Sequence, residues 1–146
     1  MQKRIALQKT EPAAYKAMLA FDGYAENASI SIIHKDLIRI RASQINGCSY
    51  CIDMHTKEAR EHGETEQRIY ALTAWRETPF FTEEERAVLA LTEEVTLICN
   101  RVSDETYANA AKLFAEKYLS QVLMAIIVIN AWNRIGVSTN LMPLAS

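Results

Sequence analysis

The sequence predicts an all-α domain. Apolar residues recur at helical spacing along nearly the whole chain, only four glycines and three prolines interrupt it, and recognisable helix-start and helix-stop residues punctuate it. A chain of 146 residues is long enough for one compact domain, residues 1–146, with a core that needs no disulfide staples. About seven helices are expected.

Thr10 with Pro12 just inside marks the first start, with Ala14, Met18 and Phe21 as a buried stripe and Gly23 near the end. A second helix is expected from about Ser31 to Ile45, with Leu37, Ile38, Arg41 and Ile45 near one face and Asn46-Gly47 breaking it. The third runs from Cys48 to about His62 and stops at Gly63, a residue suited to the left-handed position after a helix. Thr65 or Glu66 to Trp75 gives a short fourth helix. Thr82-Glu83-Glu84-Glu85 is a capping box that opens a fifth, reaching about Cys99. Ser103-Asp104-Glu105 starts a sixth through about Tyr118, and Ser120 to about Gly136 forms the seventh. The stretch Val122 to Trp132 is apolar on most sides, so it is either a central core helix or a helix buried between subunits.

Charge and composition exclude several function classes. Sixteen basic against eighteen acidic side chains leave a net charge of −2, without the basic footprint of a nucleic-acid or anionic-membrane binder. The N-terminal Met1 to Lys9 has no sustained apolar run of the signal-peptide kind, and the Val122 to Ile129 run is interrupted by Asn130, Asn133 and Arg134 well before the ~20 residues of a membrane span. Three cysteines without a secretory signal point to a reducing compartment, so a cytoplasmic location is expected.

The chemistry concentrates in Cys48-Ser49-Tyr50-Cys51, with His55 four residues on. On a helix, at about 100° per residue, Cys48, Cys51 and His55 fall within an arc of roughly 60°. One face then presents two thiols and a base, the set that thiol chemistry needs: a thiolate, a resolving sulfur and a proton acceptor. Position in the first turn favours Cys48 as the thiolate, because the helix dipole stabilises an anion there. The imidazole of His55, leaning back toward the N-terminus, favours Cys51. The residues alone leave that choice open. Two cysteines three apart can cycle between dithiol and disulfide: one is oxidised to a sulfenic acid by peroxide, the other condenses with it, and an external dithiol resets the pair. Two sulfurs and one imidazole fall short of the four ligands that structural zinc takes, and Ile52 stands where a c-type haem motif needs histidine. No metal or other cofactor is expected.

Elsewhere, Cys99 reads as a small core residue, His34 and His62 as surface or C-cap residues, and Trp75 and Phe80-Phe81 as core or interface anchors. Trp132 and Asn133 put polar groups inside an apolar helix, where they line the thiol pocket or knit an interface.

The segment Ser43 to His55, with Ala59-Arg60-Glu61-His62-Gly63, Phe81 to Arg86 and Asn130-Ala131-Trp132-Asn133-Arg134, resembles the AhpD-like alkylhydroperoxidase core of the carboxymuconolactone decarboxylase family. The resemblance covers about Asp36 to Arg134. It implies an all-helical domain that assembles into dimers and commonly trimers of dimers, and a peroxidase without metal or haem. It also implies Cys51 as the peroxide-reactive cysteine, Cys48 as the resolving one, and His55 in a proton relay. The family's glutamate twelve residues before the first cysteine falls on Asp36, one methylene shorter, so a water is expected to bridge it to His55 or a thiol. The best-characterised branch has histidine between the cysteines; here it is Tyr50, which donates a hydrogen bond but is a poor proton shuttle at neutral pH.

The expected function is therefore a cysteine-dependent peroxidase acting on hydroperoxides, reset by a dithiol partner of the lipoyl-linked or thioredoxin-like kind. A general dithiol oxidoreductase and a redox-sensing oligomer are the alternatives.

Overall fold

The computed structural model describes residues 4–144; residues 1–3, part of the stretch read above for a signal peptide, and residues 145–146 lie outside the described residues. The described chain is all-α: eight α-helices and two 3-10 turns, without a strand. The helices are α1 (Leu7–Thr10), α2 (Pro12–Asn27), α3 (Ile32–Asn46), α4 (Ser49–Glu61), α5 (Glu66–Ala71), α6 (Glu83–Thr96), α7 (Asp104–Leu113) and α8 (Glu116–Thr139).

Helix α3 is the axis of the fold, packing against α8, α4 and α6. Leu37, Ile38, Ile40 and Ala42 are buried on its different sides, so it carries no solvent stripe along its middle. One cluster joins Ile38 and Ala42 to Val88 and Leu91 of α6 and to Val122, Ile126 and Ile129 of α8. A second joins Leu37 and Ile40 to Ala59, Leu72, Trp75, Phe81 and Leu89. Helix α8 is long and apolar enough, by length and composition, to cross a membrane. In this fold it is a core helix.

Several element ends differ from the sequence expectations, each for a local reason. Helix α2 continues past Gly23 to Asn27, whose side-chain amide donates to the Gly23 carbonyl at 2.7 Å; a helical glycine weakens a helix by about 1 kcal/mol but does not end it. Only Ala25 of this helix is buried, and Ala14 is exposed. The fifth predicted helix stops at Thr96, because Leu97 leaves the helical region and residues 98–100 turn tightly; Cys99 is consequently exposed rather than in the core. The sixth ends at Leu113, where Phe114 turns extended and stacks on Tyr118 at 5.0 Å. That break lets α8 start at Glu116, before the expected Ser120. His34 is buried, against expectation, with Nδ1 2.7 Å from the Tyr118 hydroxyl. The capping box of Thr82 and Glu85 is present as the sequence indicates.

A polar seam crosses the interior between α3, α6 and α8. Asn46 Nδ2 donates to Asn130 Oδ1 at 3.0 Å and to Asn133 Oδ1 at 2.9 Å, and Asn133 Nδ2 donates to Ser43 Oγ at 2.9 Å. Asn130 Nδ2 reaches Thr96 Oγ1 at 3.0 Å. Buried amides persist only when partnered, and here the partners lie on different helices, so the seam fixes their axial register.

Replacing Asn133 by Ala empties part of the seam and strips Ser43 and Asn46 of a partner. A loss of about 2–4 kcal/mol in folding free energy, read from urea denaturation at neutral pH, is the expected result.

Candidate active site

The seam leads directly to the sulfurs. After Asn46, Gly47 takes a left-handed conformation (φ 66°), the Gly47 N–H bonds the Gln44 carbonyl, and the Cys48 N–H bonds the Ser43 carbonyl at 3.1 Å. This is a Schellman ending, which a Cβ at residue 47 would strain. Cys48 is then the N-cap of α4, one residue outside the helix expected to begin with it. The shift matters because it places Cys51 in the first turn, where unpaired N–H groups favour an anion. The N-cap place of Cys48 and the first-turn place of Cys51 both lie at the positive end of α4, so position does not separate the two sulfurs, and His55 stands one turn beyond Cys51.

Cys48 and Cys51 are joined as a disulfide, with Cα atoms 5.3 Å apart, and both are buried, at 2% and 4% exposure. Their surroundings differ. Cys51 lines a cleft of about 880 Å³ between α2, α4 and α8, flanked by the segment before α1 and the chain after α8. Cys48 does not line it. Behind the sulfurs, α8 presents Gly136: a Cβ there would lie 2.9 Å from Cys48 Sγ and 3.6 Å from Cys51 Sγ. The sequence reading did not single out Gly136, since nothing in its local pattern marks it.

The cleft wall is mainly apolar, with Tyr15 and Leu19 from α2, Met54 from α4, Trp132 and Ile135 from α8, and Leu141 beyond. Tyr50 lines it, as does Trp132, whose indole N–H donates to Asp22 at 3.0 Å. Asn133 does not: it is fully buried in the seam, one position round α8 from the cleft, so its role is to hold α3 against α8 within one chain.

The histidine and carboxylate pairing departs from the expectation. His55 lines the cleft one turn beyond Cys51, but its Nδ1 lies 2.8 Å from Glu58 Oε2 rather than on Asp36. The hydrogen bond from His55 holds the Glu58 carboxyl below its ordinary range, with burial opposing it. An ionised carboxylate only accepts, so His55 Nδ1 carries the proton and Nε2 is the basic nitrogen. Asp36 is instead paired with His62, Oδ2 to Nδ1 at 2.8 Å. Its side chain is almost fully buried in α3, beside the C-terminal end of α4 where His62 caps the helix. His62, read in the sequence as a surface or C-cap residue, does cap α4 and is also the partner of Asp36. Burial pushes the Asp36 carboxyl up, outweighing the pull of His62 and Arg39, and Oδ1 has no hydrogen-bond partner among the described residues. Glu58 was not singled out in the sequence; its place three residues after His55 on a helix was the available signal. Among the described residues no cluster of three or more His, Cys, Asp or Glu side chains is arranged to hold a metal ion.

Two outcomes follow from this geometry. A carboxyl raised by folding favours the protonated native state, so its stabilising contribution is complete below the unfolded Asp value, about 3.9, and is lost as pH rises through the higher folded value. Asp36→Asn should therefore gain stability relative to wild type as pH rises from 3.5 to 8, in urea midpoints measured along that range. Gly136→Val places branched carbon against the sulfurs; overpacking predicts a loss of about 1–3 kcal/mol in the folding free energy of the oxidised protein, read from urea denaturation without reductant.

Comparison with known proteins agrees with the architecture. Residues 12–94 match the model of the carboxymuconolactone decarboxylase family. The uncharacterized protein YdfG of Bacillus subtilis is 43% identical over 139 residues, 94% of this chain and 95% of that one. A crystal structure of a protein of unknown function from Agrobacterium tumefaciens, provisionally assigned to antioxidant defence as AhpD, superposes with a TM-score of 0.95 at 37% identity, covering 99% of this chain and 100% of that one. The debrominase Bmp8 shares the fold, with a TM-score of 0.84 over 95% of this chain and 75% of its own, at 18% identity. The chain, with its AhpD-like helical fold and its paired cysteines, thus belongs to the carboxymuconolactone decarboxylase family.

Proposed function

We propose that this protein is a cysteine-dependent peroxidase that reduces organic hydroperoxides through a Cys48–Cys51 dithiol/disulfide cycle. The observation that carries the reading is the asymmetry of the pair: Cys51 lines the cleft, one turn from His55, while Cys48 sits behind it within bonding reach. An attacking sulfur needs access to substrate; a resolving sulfur needs only access to the first.

In the first step the Cys51 thiolate attacks the terminal peroxide oxygen. The S–O bond forms, the O–O bond breaks, and the alkoxide takes a proton and leaves as the alcohol. His55, with Nε2 free and Nδ1 held by Glu58, takes the thiol proton and returns it to the leaving oxygen. Cys48 sulfur then attacks the Cys51 sulfenic acid, the S–S bond forms, and hydroxide departs with the Cys48 proton as water. An external dithiol supplies two electrons and two protons to restore both thiols; a lipoyl-linked or thioredoxin-like protein fits that role. Tyr50, at the cleft, serves as a hydrogen-bond donor to bound substrate, and the apolar wall that includes Leu19, Met54 and Trp132 favours a carbon-rich hydroperoxide over hydrogen peroxide.

The working form in this proposal is a cytoplasmic homo-oligomer, a dimer or trimer of dimers. The half-exposed apolar side chains Leu19, Tyr24, Ile127 and Val137 are surface that a second copy can cover.

The decisive experiment follows cumene hydroperoxide consumption with dithiothreitol. Cys51→Ser should fall to the buffer rate, and Cys48→Ser should give a sulfenic acid that dimedone traps without efficient turnover. Wild-type protein that consumes hydroperoxide no faster than buffer refutes the peroxidase; persistent disulfide exchange would then identify a dithiol oxidoreductase.

A further inference from the structure

Beyond the sulfurs and His55, one face of α4 carries a row of groups that the cycle above does not use to its end. Cys51, His55, Glu58 and His62 stand at i, i+4, i+7 and i+11, and at about 100° per residue they fall within an arc of about 60°. All four line the same cleft. Exposure rises along the row: Cys51 is buried, the His55 side chain is 9% exposed, and those of Glu58 and His62 reach 40% and 36%. The row thus begins at buried sulfur and ends in solvent.

We propose that His62, held by Asp36, is the solvent end of a proton relay that runs from the Cys51 sulfur along α4 through His55 and Glu58. The inference rests on the dithiol/disulfide cycle of the proposed function but not on its peroxide step. A proton arriving at His55 Nε2 releases the one on Nδ1 to Glu58 across their 2.8 Å contact. Glu58 and His62 are i, i+4 neighbours on the helix, so the next transfer is local. His62 is the suitable terminus because its imidazole reaches solvent at the end of the row and has a second ring nitrogen besides the one that meets Asp36. The buried Asp36 carboxylate orients it through Nδ1 at 2.8 Å, leaving Nε2 for exchange with water. The electrostatic setting is completed by Arg39 on α3, Asp22 and Glu26 on α2, and Arg4 before α1; the α8 residues lining the cleft carry no charge. Arg39 is paired with Glu26 and Arg4 with the α8 carbonyl of Ser138, so neither cation competes for Asp36 by direct contact.

His62 acts through other groups, so the test must separate relay from scaffold. Two reactions are measured in weak buffer at pH 7: turnover of cumene hydroperoxide with dithiothreitol, and stopped-flow reduction of the Cys48–Cys51 disulfide by dithiothreitol alone. General acid–base contributions typically exceed a hundredfold, but water substitutes partly at an exposed position, so His62→Gln should slow at least one reaction by about tenfold. Added imidazole should restore the variant to within about twofold of wild type while leaving wild type unchanged. His62→Asn replaces the Gln variant if that fails to fold. A rate within twofold of wild type in both reactions overturns the relay, as does a deficit that imidazole does not restore. If wild type consumes no hydroperoxide yet His62→Gln shows a rescued deficit in disulfide reduction, the peroxidase reading fails and the relay stands.

Discussion

The hydrogen bonds from Asn46 to Asn130 and Asn133 govern how the chain presents its sulfurs. Asn46 is the last residue of α3; the next residue is the left-handed Gly47, and the one after that is Cys48. Any axial slip of α3 against α8 would move the turn, the start of α4 and the cysteines together. A purely apolar contact between these helices would tolerate small slips, because hydrophobic burial is non-directional. Donors and acceptors 2.9–3.0 Å apart do not. The polar seam in an otherwise apolar interface is therefore the means by which a helical domain places two sulfurs reproducibly.

The same helix that supplies the acceptors also supplies the room. Asn133 and Gly136 are three residues apart on α8, so the first grips α3 while the second lies under the Cys48 and Cys51 sulfurs. Trp132, one turn before Gly136, forms part of the cleft wall. Holding the turn, making space for the sulfurs and walling the cleft fall to adjacent faces of one element. This explains why the most apolar helix of the chain also contains its most constrained polar residues.

The helical class, most helix starts and the two glycine-marked ends were legible because they depend on local chemistry: Pro12 at a first turn, Thr82 with Glu85, and Gly47 and Gly63 after helices. Other ends were less legible. Residues 97–101 leave α6, and Phe114 breaks the run into α8, through backbone turns and ring packing that no periodicity records. At the site, Cys48, Cys51 and His55 were readable from spacing alone because one helix carries them. Which cysteine faces the cleft depends on α2 and α8, elements far away in sequence, and Gly136 and the buried place of Asn133 depend on the α3–α8 register.

The pairing of acids with histidines sets the electrostatics on either side of α4. A carboxylate on α3 aimed at α4 can meet whichever imidazole its reach allows, and from Asp36 that is His62. His55 is then left to a carboxylate on its own helix, and Glu58, three residues on, is within reach. The exchange changes the electrostatics as well as the partners. The carboxylate orienting the imidazole beside Cys51 is now partly solvated and held below its ordinary range, so as an acceptor it fixes the tautomer of the neutral imidazole. The buried carboxylate, whose protonation is pushed upward, is moved away from the sulfurs to the end of the row. A site with those two assignments reversed would lose its fixed tautomer as the buried acid took up a proton. In this arrangement the imidazole one turn from Cys51 keeps an ionised partner, while the buried acid lies under the half-exposed His62.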